Sequence, residues 1–203
     1  IDWRNWRVIL IRAFAELAST MLFLNALAQM PLANVSAILQ SLPLTVTMFA
    51  AMFFGEAVGW RRWSAILVGF IGVLIIIRPG SDGFNEYAVL ALIAVGFITL
   101  RDAITRRLDR SVPSLFVAFI SAIPVFLFGG AMTVTTGWTP VSWSMGIIVT
   151  VAAISITCGY LFAVMAMRIG DISFVAPFRY TGMIWAILFG FLLFGNLPDQ
   201  MTI

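Results

Sequence analysis

Apolar residues run through the chain in seven long blocks, at about residues 8–29, 33–54, 62–78, 87–105, 112–134, 143–167 and 173–194. A helix that crosses a bilayer needs roughly 20 apolar residues at a rise of about 1.5 Å each, and most of these blocks reach that length. The third and fourth are shorter, but flanking Trp and Arg residues extend them to the interface. The connections are brief: QMPLAN, GEAVGWRR, RPGSDGFNE, RRLDRSVPS, TTGWTPVSW and RIGD. None reads as a soluble domain or a low-complexity linker. The pattern predicts an all-α polytopic membrane protein whose seven helices form one bundle.

Composition narrows the chemistry. Hydrophobic residues make up 62% of the chain and charged residues 10%, against about 25% charged in a soluble domain. Mean hydropathy is +1.04. There is no lysine, which excludes a retinal Schiff base and a Walker-type phosphate loop. There is no histidine either, so the common zinc-ligand sets and the usual general base are missing. The single Cys158 cannot form an internal disulfide. No enzyme, metal or cofactor is expected. The arginines cluster at helix ends rather than along one face, so nucleic acid is not an expected partner. The chain opens on a charged turn without an initiator Met or a cleavable leader, as a piece of something longer would.

The arginines also set an orientation. Arg4 and Arg7 precede the first block, Arg61 and Arg62 follow the second, Arg106, Arg107 and Arg110 follow the fourth, and Arg168 follows the sixth. All four stretches fall on one side, whereas the other has only Arg78 near its helix ends. By the positive-inside rule the arginine-rich side is cytoplasmic, and the first helix starts there. Trp3, Trp6, Trp60 and Trp63 then mark the cytoplasmic interface, with Trp138 and Trp143 at the outer one.

Residues 18–56 and 157–196 share one layout: apolar helix, short polar turn, apolar helix, Phe-Gly stop. At an offset of 139, Leu22-Phe23 falls on Leu161-Phe162; at 140, Val35, Phe49, Phe54 and Gly55 fall on Val175, Phe189, Phe194 and Gly195. The first copy begins in the first helix and the second in the sixth. Five spans, an odd number, separate the two starts, so the two copies enter the membrane from opposite sides. Inverted repeats of this kind let two halves exchange shapes and alternate access to a site between them.

From Arg12 to Gly80 the chain has an Arg-opened helix, Ala26-Leu27 before a Pro31-Leu32-Ala33 turn, Pro43 within the next helix, and Gly55-Glu56. Trp60-Arg61-Arg62-Trp63 and a glycine-rich helix ending Gly72-Val73-Leu74 follow. This order resembles the EamA-type branch of the drug/metabolite transporter superfamily. The stretch Ser173-Phe174-Val175-Ala176-Pro177-Phe178 through Phe194-Gly195 resembles the matching part of that family's second half. The resemblance implies a ten-helix bundle of two inverted five-helix repeats with both termini cytoplasmic. The seven spans would be the third to the ninth. Residues 1–80 would hold the last three helices of the N-terminal repeat and 81–203 the first four of the C-terminal one. A final helix is then expected to begin within a few residues of Ile203. One departure is Gly195-Asn196, where the family has a Glu matching Glu56.

Ionisable groups deep in a span cost about 2.5–3.5 kcal/mol and mark a pathway or a pair. Arg12 and Glu16 lie four apart on one helix face and can pair. Glu16 sits about 13 Å into its helix; it reads as a substrate-amine or proton site, or else as a buried structural ion pair. Arg12 can instead snorkel to the interface. Ser36, Gln40, Pro43 and Thr47 form a polar stripe in the second block, and Pro43 frees the Leu39 carbonyl. Gln40 is the substrate candidate of that stripe; helix-to-helix hydrogen bonding is its other reading. Tyr180 falls on Gln40 in the second copy, and Arg179 beside it reads as a fork for a substrate carboxylate. Pairing with Glu16 or Asp171 is the alternative for Arg179. Trp185, placed inside a span, is a candidate cavity wall or a packing residue. Arg101-Asp102 reads as an interfacial charge cluster, with Asp102 able to pair with Arg106. Ala65, Gly69 and Gly72 read as a close-packing face.

The expected function is secondary transport across the inner membrane. The chain would move small polar or zwitterionic metabolites, amino-acid-like or drug-like, outward by alternating access. Substrate contacts are expected from Glu16, Gln40, Arg179 and Tyr180, with Trp185 as a wall. The expected partners are a small-molecule substrate and the lipid bilayer; a monomer and a homodimer both fit. Energy would come from the substrate's own gradient or from protons through Glu16. The alternative is a non-transporting membrane scaffold or sensor that keeps the transporter fold.

Overall fold

A computed structural model describes residues 2–55, 58–77, 86–109, 111–138, 140–169 and 181–194. These fold into eight helices: α1 (Trp3–Gln29), α2 (Leu32–Leu39), α3 (Leu42–Phe54), α4 (Trp60–Ile77), α5 (Glu86–Thr105), α6 (Ser114–Thr136), α7 (Trp143–Ile169) and α8 (Thr181–Phe194). Among the described residues each apolar block of the sequence falls mainly in helix, and no strand occurs. α1, the stretch Asn34–Phe54, α5, α6 and α7 are long and apolar enough to span a membrane. α4 and α8 carry shorter apolar stretches, Trp63–Ile75 and Ile184–Leu193. The chain is a multi-pass membrane protein.

Local chemistry explains the ends. The Asp2 carboxylate accepts from the Trp3 N–H at 2.7 Å and caps α1. Met30 leaves the helix in an extended conformation, as the residue before Pro31 should. α3 ends at Gly55, whose φ of 67° is left-handed and whose N–H returns to the Ala50 carbonyl.

The expected continuous helix over 33–54 is instead two helices. Pro43 sits in the first turn of α3, where its missing N–H is no loss. The helix before it stops at Leu39, and the Gln40 N–H reaches both Ser36 and Ala37 carbonyls in a tightened last turn. The Ser41 hydroxyl donates to the Ile38 carbonyl at 2.7 Å. The break is therefore hydrogen-bonded rather than open.

α1 packs chiefly on α5, then on α6; α5 also meets α2 and α3, and α7 lies against α6 and α5. Small buried residues allow the α1–α5 approach: Ala13, Ala15, Ser19 and Ala26 on one helix, Ala88, Ala91 and Ala94 on the other. One apolar core gathers Ala26, Met30, Val35, Ile38, Leu42, Val73 and Val95 around them. A second, built from Ile9, Leu108, Val112 and Val117, closes the end that carries the start of α1. There Asn5 donates to Asp109 at 2.8 Å and accepts from its N–H at 3.3 Å. Between the two cores the packing turns polar.

Candidate functional site

Glu16 lies on α1 in that polar layer, its side chain 13% exposed. Its expected partner Arg12 does not bond to it. The Arg101 Nη1 does, at 3.0 and 3.1 Å from the two carboxylate oxygens. The i, i+4 pairing gives way because the antiparallel α5 brings a second guanidinium to the carboxylate from across the interface. Tyr160, on α7, donates its hydroxyl to Glu16 Oε2 at 2.7 Å. The Arg12 Nη2 donates in turn to the Tyr160 oxygen at 2.7 Å, and its guanidinium carbon stands 5.4 Å from the centre of that ring. Glu16 and Arg12 are thus joined through a phenol rather than directly.

Asp102 accepts from the Arg101 Nε at 2.9 Å. With 6% of its side chain exposed it is buried, not interfacial as the sequence suggested. The cluster therefore holds two guanidinium groups, two carboxylates and one phenol, drawn from α1, α5 and α7. Arg101 bonds both carboxylates. In an apolar bundle such a group is held by its mutual pairing, since each charge left alone would be strongly disfavoured. Beside it lies a cavity of about 20 Å³ lined on its polar side by Arg12, Arg101, Asp102, Thr105 and Tyr160. That is room for about one water-sized group. No group of three or more metal-ligating side chains occurs among the described residues.

Of the residues singled out in the sequence, Glu16 is at the centre of this cluster. Gln40 sits half-buried at the α2–α3 break. Thr47 donates back to the Pro43 carbonyl at 2.7 Å, so its hydroxyl serves its own helix. The inter-helix polar contact comes instead from Thr45, 2.6 Å from Thr99 on α5. Trp185 on α8 is half-exposed and stacks on Phe189 at 6.0 Å. Arg179 and Tyr180 lie outside the described residues, as do Asp171, Val175, Gly195, Asn196 and Glu56. Arg101 and Tyr160 were not singled out as site residues. The available signal for Tyr160 was a lone phenol within an apolar helix.

Residues 1–78 match the EamA-like transporter family, and relatives bearing transporter names align across most of the chain. Over these residues the match agrees with the resemblance to EamA-type transporters of the drug/metabolite transporter superfamily. It is 25% identical over 174 residues to an S-adenosylmethionine uptake transporter of Rickettsia conorii, covering 85% of this chain and 58% of that protein. It is 28% identical to a riboflavin transporter of Vibrio cholerae, over 93% of this chain and 64% of the relative. With a pseudopaline exporter of Pseudomonas aeruginosa it shares 25% identity over 97% of this chain and 69% of the relative. The chain thus spans about three fifths of the length of the first two. A solved crystal structure superposes with a TM-score of 0.69 at 19% identity, covering 97% of this chain and 71% of that one, and shares its fold.

Proposed function

We propose that the chain is the site-bearing part of a secondary transporter that moves small polar or zwitterionic metabolites by alternating access. The observation that carries this reading is the Arg101–Glu16–Tyr160–Arg12 relay, a charged group held deep in an apolar bundle. It ties three helices together through bonds that a polar substrate can exchange. Glu16 is its centre, with Arg101 holding the carboxylate and Tyr160 linking it to α7. Gln40, at a helix break whose turn brings polar groups into the membrane interior, is proposed as a second contact. Arg179, Tyr180 and Trp185 remain proposed contacts from the second copy of the repeat.

The names of the relatives support a small-molecule cargo, since S-adenosylmethionine, riboflavin and pseudopaline are all small molecules. Export is the proposed direction, supported by the named exporter that aligns over 97% of the chain. The distribution of arginines supports an inner-membrane protein whose α1 starts in the cytoplasm. The family match to residues 1–78 supports a boundary near residue 80 between an N-terminal and an inverted C-terminal repeat.

A comparison of exported metabolites between cells with and without the protein, followed by flux of the identified compound in proteoliposomes, tests the proposal. Flux should fall at least tenfold in Glu16→Gln and Arg101→Gln. Undiminished flux in both variants overturns the site, and no flux of any amino acid, nucleoside or drug overturns transport in favour of a scaffold.

A further inference from the structure

The charges of the polar cluster are shared unevenly. Arg101 makes contact with both carboxylates, at 3.0 Å to Glu16 and 2.9 Å to Asp102. Arg12 touches neither. It is 2% exposed, and its only hydrogen bond among the described residues is the one from Nη2 to the neutral Tyr160 hydroxyl. Nε and Nη1, which carry three N–H donors between them, have no partner among the described residues. A guanidinium keeps its charge in any protein setting, and a buried cation without an anion is costly. Arg12 lines the small cavity next to the relay, and so does Asp102.

We propose that Arg12 is an oxyanion-recognition residue: the carboxylate of a zwitterionic substrate binds its unused donors and draws it away from Tyr160. The assignment of that carboxylate to a transported molecule rests on the transport reading above. Charge-assisted bonds to a carboxylate are roughly twice as strong as those to a neutral hydroxyl, so the exchange favours the ligand. The exchange also has a mechanical result. Among the described residues Tyr160 carries the side-chain hydrogen bonds between α1 and α7, and losing the Arg12 bond and its ring contact leaves the Tyr160–Glu16 bond between them. Substrate binding thereby loosens one helix of the bundle while the Glu16–Arg101 pair between α1 and α5 stays closed. A substrate without an anionic group would not trigger the change.

The test uses the full chain in lipid nanodiscs, with sodium acetate as the probe and sodium chloride and acetamide as controls at constant ionic strength. Thermal unfolding should rise saturably with acetate and not with acetamide, and Arg12→Gln should abolish the rise. Tyr160→Phe removes the competing acceptor and should lower the half-saturating acetate concentration several-fold; this variant decides the matter if Arg12→Gln does not fold. An acetate effect no larger than that of chloride, or an unchanged half-saturation in Tyr160→Phe, overturns the proposal. Saturable acetate binding in a protein that carries no flux overturns transport and leaves the anion site standing. Flux indifferent to amidation of the substrate carboxylate overturns the anion site and leaves transport standing.

Discussion

Arg101 bonds both to Asp102, its neighbour in sequence, and to Glu16, which is 85 residues away, with one planar group. The Nε faces the first carboxylate and Nη1 both oxygens of the second, so a single side chain holds α5 to α1 and neutralises two acids at once. A guanidinium can do this because its donors are fixed in a plane. The ammonium of a lysine is a point charge and would have to choose.

The expected consequence is a steep dependence on that residue. Arg101→Gln takes from buried Glu16 the cation it is paired with, and breaking a buried pair in this way costs about 3–5 kcal/mol. Arg101→Lys should recover only part of the loss. Adding Glu16→Gln to Arg101→Gln should restore part of the stability, because the Glu16 charge left by the first substitution is then gone. Thermal unfolding of the detergent-purified variants, compared as a double-mutant cycle, reads these differences; additive losses would show that the two side chains are not coupled.

The seven helical blocks were legible because lipid demands long apolar runs and leaves few other ways to satisfy a backbone. The contacts inside the polar layer were less so. Glu16 stood out as an acid where acids are disfavoured, yet its partner could not be read from helical spacing. The rule that joins residues four apart pointed to Arg12, whereas packing delivered Arg101 from an antiparallel helix. Tyr160 gave almost no local signal, since a phenol is tolerated in any apolar helix with one hydrogen bond. Pro43 was legible as a disturbance, but whether it bends a helix or divides it depended on Ser41 bonding the Ile38 carbonyl. Arg101-Asp102 looked interfacial because it lies near the end of its span; only the fold shows that it faces inward.

The clamp at the end of the bundle gives a second expectation. Asn5 is 3% exposed and makes reciprocal bonds with the side chain and N–H of Asp109. Asn5→Ala should lower stability by about 1.5–3 kcal/mol, the range for hydrogen bonds to charged groups. Asn5→Asp should be worse, as it sets two carboxylates against each other. Proteolysis rates within the connection between α5 and α6 would report the loosening, and no change for Asn5→Asp would show that the clamp does not hold that segment.

Thr45 and Thr99 present the opposite case, a pair that can be removed together. Their hydroxyls meet at 2.6 Å in a buried contact between α3 and α5. Thr45→Val leaves the Thr99 hydroxyl without that partner and should cost about 0.6–1.7 kcal/mol, as for other inter-helix bonds in membranes. Thr45→Val with Thr99→Val keeps the shape and should be milder than the sum. Unfolding midpoints of the three variants check this, and a double variant worse than the sum would mean that the hydroxyls bond elsewhere.

Gly69 and Gly72 of α4, which share a small-residue pattern in the sequence, should respond differently to alanine. A Cβ on Gly69 would run into the Leu44 Cδ1 of α3, whereas one on Gly72 meets nothing within 4 Å. Gly72→Ala gains helix propensity and should stabilise by about 0.4–1 kcal/mol through the unfolded chain. Gly69→Ala gains the same propensity but forces Leu44 to turn, and overpacking of this kind costs about 1–3 kcal/mol. The two terms nearly cancel if Leu44 moves freely, so the decisive variant is Gly69→Ala combined with Leu44→Ala. Removing the obstructing methyls should turn the glycine substitution from costly to favourable when each is measured against its own background by thermal unfolding. An equal effect of Gly69→Ala in both backgrounds would mean that α3 and α4 do not meet at this point.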